Sequence, residues 1–290
     1  MPAFSLIIPA CNEEAGVDAV LRRYVAVLRR VEMHEGFEIL VVDDGSTDAT
    51  ARVVAALAAE MPEIRLVQHD RNRGYGAAIK TGIRRSSGAW VGITDADGTY
   101  PADVLPEMLM HIAEADMVVG SRTGANVAIP MIRKPAKWFI TRLAGFLAGE
   151  KIPDLNSGLR VFRREFLMQH LNLLPNGFSL TTTITLCALC NGYVVKYIPI
   201  DYARRTGRSK IRPLKDTANF ILLIVRSITT FNPLKVFLPI GGLIFGLGIC
   251  KAAYAALTIY NLADSDIILI VGGVNILMLG LTADLFARRR

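Results

Sequence analysis

Cysteine is scarce, with four in 290 residues (Cys11, Cys187, Cys190, Cys250), too few and too scattered for a disulfide framework. Cys187 and Cys190 make one C-x-x-C inside an apolar stretch, and no second pair completes a zinc site. They read as two small apolar residues one helical turn apart, in a chain suited to a reducing compartment. A P-loop and the six-residue glycine fingerprint of dinucleotide binding are also missing. The N-terminus has no basic stretch followed by a long apolar core, so no cleaved signal peptide is expected. Neither an internal repeat nor a low-complexity tract is present. Charge almost vanishes from residues 236–286, which hold only Lys251, Asp264, Asp266 and Asp284.

That last scarcity explains a mean hydropathy of +0.36. The excess is confined to the C-terminal region, while the first 200 or so residues carry charge throughout. Val236–Tyr260 and Ile267–Phe286 are each long enough to span a bilayer, which takes about 20 residues. The connector Asn261–Asp266 holds no Lys or Arg, whereas both flanks do. A hairpin with both ends and the preceding domain in the cytoplasm follows. Lys251 is expected toward the far side, within reach of Asp264 or Asp266. The net charge of +7 gathers at Arg204, Arg205, Arg208, Lys210, Arg212 and Lys215, beside the membrane segment, and at Arg288–Arg290. A membrane collar therefore accounts for it better than nucleic acid does, and no nucleic-acid partner is expected.

The soluble part alternates short β-branched runs with amphipathic ones. Strands are expected at Phe4–Pro9, Phe37–Val42, Ile64–His69, Trp90–Thr94 and Met117–Gly120. Helices are expected at about Glu14–Arg30, Ala49–Ala59 and Gly76–Arg85. This order predicts an α/β fold with a mostly parallel sheet, its ligand beyond the carboxyl ends of the strands. Met131–Gly149 is basic and amphipathic, a helix lying either on the core or on a bilayer surface. Asp216–Phe231 reads as an interfacial helix leading into the membrane.

Polar clusters fall at the strand ends. Asp95 and Asp97 are two residues apart, so their carboxylates point the same way. Two such groups repel unless a hard divalent ion, Mg²⁺ or Mn²⁺, bridges them to diphosphate oxygens; a solvated pair of loop aspartates is the alternative. In Asp43-Asp44-Gly45-Ser46-Thr47-Asp48, Asp44 or Ser46 could cap a helix, but capping explains one of the three acids and contact with a base or ribose is the functional reading. Asn72-Arg73-Gly74-Tyr75-Gly76 enters a helix and lets backbone amides approach an anion. Asp154-Leu155-Asn156-Ser157-Gly158-Leu159-Arg160 is either a capped turn or part of the site. Arg204-Arg205-Thr206-Gly207-Arg208-Ser209-Lys210 combines charge with directed hydroxyl donors, as a phosphate pocket would.

SLIIPACNEE, VVDDGSTDAT, NRGYGAAIKTG, the DAD at 95–97, GSR at 120–122, DLNSGLRVFRR and RRTGRSK, followed by a two-helix tail, resemble the inverting glycosyltransferase family two with a GT-A fold. Within it the likeness is to polyprenyl-phosphate glycosyltransferases, and it covers essentially the whole chain. The resemblance implies a metal-dependent transfer from a UDP- or GDP-linked sugar to a polyprenyl phosphate. It implies a nucleotide pocket of Pro9, Asn12, Glu14, Asp43, Asp44, Asn72 and Gly74, with Asp95 and Asp97 holding metal and diphosphate. Arg122, Ser157, Arg204, Ser209 and Lys210 would hold phosphate, and Asp154 would stand near the acceptor, orienting more than abstracting. Two departures stand out: the Q-x-x-R-W of processive synthases is missing, and Thr99 stands where relatives often have Gln.

The expected organisation is a catalytic domain over 1–215, an interfacial helix over 216–232 and a hairpin over 233–290 in the inner membrane. The rival readings are transfer to another membrane lipid and a tethered nucleotide-binding protein without catalysis. Gly241, Gly242, Gly246 and Gly248 permit close helix packing, which a homo-oligomer would use.

Overall fold

The computed structural model describes residues 3–33, 35–125, 134–177, 179–203, 213–258 and 263–288. Seven strands form one sheet: β1 (Phe4–Ala10), β2 (Phe37–Asp43), β3 (Ile64–Gln68), β4 (Trp90–Ile93), β5 (Met117–Ser121), β6 (Arg160–Arg163) and β7 (Val195–Pro199). Their order is β3-β2-β1-β4-β6-β5-β7. Only β6 runs antiparallel to its neighbours, with Ile93 opposite Arg160 and Trp90 opposite Arg163.

Helices cover both faces, which is why β1 and β2 are buried almost without interruption. The pleat still sorts their side chains. Leu6, Ile8, Ile39 and Val41 join α1 (Val17–Leu28), α2 (Thr50–Glu60) and α4 (Leu105–Met110) in one core. Ile7, Val42, Val91 and Ile93 join α3 (Tyr75–Arg85), α6 (Arg164–His170) and α7 (Leu180–Cys190) in the other. Pro9 is tolerated in a central strand because β4 pairs with β1 only as far as Ile7. Past that point its missing N–H costs no ladder bond.

The five strands read from the sequence are all present, within one or two residues at their ends. β6 and β7 are additions. β6 is four residues, Arg-Val-Phe-Arg, with too little alternation to stand out. Cys187 and Cys190 lie on α7, Cys187 buried against the core, and burial pushes both thiols up, Cys187 to about 12 and Cys190 to about 11.

A third core joins α5 (Lys134–Ala148), α7 and α8 (Pro213–Phe231) through Ile140, Ala144, Leu147, Leu186, Ile224 and Ile228. Beyond it α9 (Leu234–Thr258) and α10 (Asp264–Arg288) pack side by side, both long and apolar enough to cross a membrane. Their contact is built from small residues seven apart. Gly241, Gly248 and Ala255 are the buried residues of α9, and Gly273 and Gly280 face it from α10. A Cβ at Gly273 would stand 2.6 Å from the Phe245 backbone nitrogen. Gly242 and Gly246 point away, with nothing within 4 Å. Near the connector the Lys251 ammonium pairs with Asp266 at 2.9 Å and donates to Ser265 Oγ at 2.5 Å. Of the two partners expected from the sequence, Asp266 is the one used.

Candidate active site

Parallel strands deliver their carboxyl ends to one edge of the sheet, and those expected residues that the structure describes lie along it. β6 adds to them because it runs the other way: the turn before it, Asp154–Gly158, reaches that edge by its amino end. β7 ends there too, and Ala203 beyond it donates its N–H to the Thr99 carbonyl at 3.1 Å.

The half at the ends of β1, β2 and β3 is a set of loops tied to one another. Asn12, left-handed at φ 58°, accepts from Thr47 N at 2.8 Å, and its own N–H donates to Ser46 Oγ at 3.0 Å. Glu14 caps α2 by accepting from Ala49 N at 2.7 Å. Buried Asp43 accepts from Ser46 N at 3.2 Å and also from its hydroxyl. Asn72 donates to Cys11 Sγ at 3.2 Å, and burial pushes that thiol up.

Asp44 and Gly74 differ most from expectation. The anion at the start of α3 is the protein's own: Asp44 accepts from Arg73 N at 2.9 Å and Gly74 N at 2.8 Å. It also lies 2.7 Å from His69 Nδ1, whose other nitrogen is 2.9 Å from Thr81 Oγ1. Ala77 N donates to the Asn176 carbonyl at 3.0 Å. Gly74 and Gly76 serve that approach, since a Cβ at either would strike Asn176 or Pro175. His69 went unnoticed in the sequence because its partners lie 25 and 12 residues away. Asp44→Ala is expected to destabilise the protein by about 3 kcal/mol, because it strips a partner from the buried His69 ring and from two part-buried amides, and buried polar groups left unsatisfied cost ~1–3 kcal/mol each. Thermal unfolding in detergent checks this; an unchanged midpoint would restore Asp44 to a ligand-binding role alone.

The half at the ends of β4, β5 and β6 contains the aspartate pair. Tyr75 donates to Asp95 Oδ1 at 3.0 Å, and burial, then Asp95, raises the phenol well above its usual range and keeps it a donor. Asp97 Oδ1 accepts from Thr99 N at 3.1 Å and Thr99 Oγ1 at 2.6 Å, so Thr99 orients the carboxylate. Among the described residues no group of three or more His, Cys, Asp or Glu could hold a metal. Two strand-end carboxylates fit Mg²⁺ or Mn²⁺ nevertheless, since such ions take one or two protein carboxylates and complete their shell with water and phosphate oxygens.

Gly158 packs against Asp95, where a Cβ would come within 3.0 Å of Oδ2, and its N–H donates to Tyr100 Oη at 2.6 Å. Beside them Arg122 grips Asp154, with Nε to Oδ2 at 2.7 Å and Nη2 to Oδ1 at 2.9 Å. The Arg122 backbone N–H adds a third bond at 3.0 Å. Asp154 is fully buried; Arg122 reaches the surface and lies 5.2 Å over the Tyr202 ring. Burial opposes the arginine's charge, and Asp154 more than offsets it, holding the guanidinium above its usual range. Ser157 is committed inward, donating to the Gly120 carbonyl at 2.5 Å. Sequence reading gave Arg160 no separate role. It is wholly buried, bonding the Ser157 carbonyl at 2.7 Å, Leu155 carbonyl at 2.8 Å and Thr185 Oγ1 at 2.6 Å, and it braces the turn that carries Asp154. Burial lowers its proton affinity. Arg204, Ser209 and Lys210 lie outside the described residues.

Residues 5–171 match the profile of the family described as Glycosyl transferase family 2, and residues 232–288 that described as GtrB C-terminal hairpin. An undecaprenyl-phosphate 4-deoxy-4-formamido-L-arabinose transferase from Sodalis glossinidius is 32% identical over 247 residues, covering 84% of this chain and 73% of its own. A dolichyl-phosphate hexose transferase from Haloferax volcanii is 29% identical over 72% of this chain and 86% of its own. Glucosyl-3-phosphoglycerate synthase from Mycobacterium tuberculosis, solved with Mn²⁺, UDP-glucose and phosphoglyceric acid, superposes with a TM-score of 0.60. It is 19% identical over 78% of this chain and 80% of its own, and shares the fold.

Proposed function

The chain belongs to glycosyl transferase family 2, and on that premise we propose that it moves a sugar from a UDP- or GDP-linked donor to a polyprenyl phosphate at the cytoplasmic face of the membrane. One observation carries the reading. The aspartate pair, the buried Arg122–Asp154 clamp and the last residue before the basic run meet at one sheet edge, in a chain that ends in a spanning hairpin. The named activities of its relatives point to the same acceptor class. We assign 1–215 to catalysis, 216–232 to the interface and 233–290 to the hairpin, with both termini cytoplasmic. A homo-oligomer, if formed through the hairpin, has Gly242 and Gly246 on its outward faces to use.

The acceptor oxygen is already anionic, so no base need create the nucleophile. It attacks the anomeric carbon in line, forming the new O–C bond as the bond to the diphosphate breaks and its electrons stay with the leaving nucleoside diphosphate. The configuration inverts. Mg²⁺ or Mn²⁺ held by Asp95 and Asp97 would neutralise charge on that leaving group. Thr99 and Tyr75 orient the two carboxylates. Arg122, held by Asp154, offers its exposed side to phosphate, with Arg204, Ser209 and Lys210 completing the acceptor pocket. Asp154 therefore acts as a positioning residue. Asn12, Glu14, Asp43, Asp44, Asn72 and Gly74 shape the nucleotide side, chiefly by fixing its loops, next to Pro9.

The test is a donor screen with the full chain in detergent, undecaprenyl phosphate and Mn²⁺, reading released UDP or GDP with and without lipid. Lipid-dependent release from one donor is expected. Release that ignores polyprenyl phosphate but follows another lipid would overturn the acceptor assignment. Nucleotide binding without release for every lipid tried would overturn catalysis.

A further inference from the structure

Asp44 stands just beyond β2 and Asp95 just beyond β4, with β1 lying between those strands. Strand pairing therefore does not join the two loops directly. One short stretch of chain spans the gap. Arg73 N and Gly74 N donate to Asp44, and the next residue, Tyr75, donates its hydroxyl to Asp95 Oδ1. Three consecutive residues thus hold both loops, and the backbone at 73–75 fixes how far apart they sit.

That stretch leads into α3, whose buried face is apolar at Ala78, Ile79 and Ile83. Apolar burial is non-directional, so it holds the helix to the sheet without fixing where along the sheet it sits. Directional bonds must do that. Two are made with the chain at Leu174–Asn176, by Lys80 Nζ to the Leu174 carbonyl at 2.9 Å and by Ala77 N to the Asn176 carbonyl at 3.0 Å. A third comes from His69. Its Nδ1 lies 2.7 Å from Asp44 Oδ1, and its Nε2 lies 2.9 Å from Thr81 Oγ1, two turns along the helix from Gly74. A carboxylate only accepts, so Nδ1 is the donor to Asp44, while the Thr81 hydroxyl can serve Nε2 in either role. The His69 backbone N–H is itself fixed on the Asp43 carbonyl at 2.9 Å. Ring and carboxylate are both buried, and together they form a strut from the end of β2 to the second turn of α3.

We propose that His69 is a positioning residue for the nucleotide-sugar donor. Through Asp44 and Thr81 it sets the placement of residues 73–75, and with it the span from the nucleotide loops to the carboxylate that Tyr75 orients. This rests on the reading of the sheet edge as a nucleotide-sugar site. A nucleoside diphosphate must reach from one half of that edge to the other, so a change in the span weakens its hold at one end. The acceptor side is carried by different elements, Arg122 beyond β5 and Asp154 before β6, and does not depend on the strut.

Conservative variants separate the two ends of the strut, because the side-chain nitrogen of Asn falls near Nδ1 and that of Gln near Nε2. Full-length His69→Leu, His69→Asn and His69→Gln proteins in detergent are titrated with UDP and with GDP at saturating Mn²⁺. KM is then measured for the donor and for undecaprenyl phosphate. His69→Leu is expected to weaken nucleotide binding and raise the donor KM by ~10-fold, the effect of one hydrogen bond to a charged group, with the acceptor KM unchanged. His69→Asn, which keeps the bond to Asp44, is expected to recover most of that loss, and His69→Gln to recover little. Parental nucleotide affinity in His69→Leu overturns the inference. So do equal losses for donor and acceptor, which mark a general weakening of the fold, and so does an Asn variant no better than Leu. Should His69→Leu not fold, Thr81→Val cuts the strut at its other end, and the absence of a donor-only loss there overturns the inference as well. Binding is read without turnover, so a parent that binds nucleotide but transfers nothing leaves this result standing. A parent that binds neither UDP nor GDP overturns the nucleotide site, and the inference with it.

Discussion

Asp97→Ala should abolish sugar transfer, lowering kcat/KM by at least ~10³-fold, while the protein folds as before. The carboxylate lies in the loop beyond β4, outside the sheet, and two of its bonds go to Thr99 of the same turn. What is lost is half of the acidic pair at the diphosphate position. Stabilisation of a departing diphosphate by a bound metal amounts to several kcal/mol. With each 1.36 kcal/mol a factor of ten, ~4 kcal/mol gives the ~10³-fold stated. The check is turnover under saturating Mg²⁺ or Mn²⁺ beside a thermal unfolding curve. Activity within tenfold of the parent would remove the metal assignment, whereas a collapsed midpoint would show Asp97 to be structural. Thr99→Val should lower activity far less, since it loosens the carboxylate without deleting it.

The second large effect concerns the Arg122–Asp154 clamp, where the two halves should respond differently. Arg122→Met removes the bidentate partner of a fully buried carboxylate, and breaking a buried pair from one side costs about 3–5 kcal/mol. Asp154→Asn leaves an arginine that can turn toward solvent, so its stability cost should be smaller. Both should reduce transfer by ~10²-fold or more, the equivalent of about 2.7 kcal/mol. The pH profile separates the roles. A general base leaves a limb in the rate profile that disappears with the Asn variant; a positioning residue lowers the whole curve without changing its shape. The unchanged shape is expected, because a phosphate nucleophile has no proton to give. Loss of a limb would make Asp154 a base after all.

The strand-rich half of the fold could be read from the sequence because β1 to β5 are β-branched runs ended by Pro, Gly or Asp. β6 could not. Its four residues are half arginine, and one of them, Arg160, is the largest fully buried side chain among the described residues. Arginine argues for the surface in any pattern-based reading, and only the carbonyls of a turn folded against it make burial tolerable. The site shows the same division. Asp95 and Asp97 were legible as candidates because acidic residues at strand ends are conspicuous, whereas Asp154 was a candidate through the family resemblance. Asp44 was found for a reason that proved incomplete, since its partners at 69, 73 and 74 belong to the next strand and loop. In the sequence the glycines at 74 and 76 read as letting an anion approach the start of α3. The group that approaches is the backbone at Pro175–Asn176, far along the chain, which local reading cannot supply. Lys251 and Asp266 were the easier case, because a hairpin brings its own two arms together.

That pair bears on how the hairpin enters a membrane. Lys or Asp carried alone to the middle of a bilayer costs about 2.5–3.5 kcal/mol each. Lys251 and Asp266 flank the connector, the part that must be translocated to the far side if the chain begins and ends on the near one. Bonded at 2.9 Å, they cancel each other's charge and leave Asp264 as the remaining charge of the hairpin's leading tip. The glycine and alanine faces of the two helices already fit together at the spacing needed to hold them in that register. The tail is thus built to be delivered as one closed object rather than threaded helix by helix, and a charge removed from either side would tax its biogenesis before it affected any chemistry.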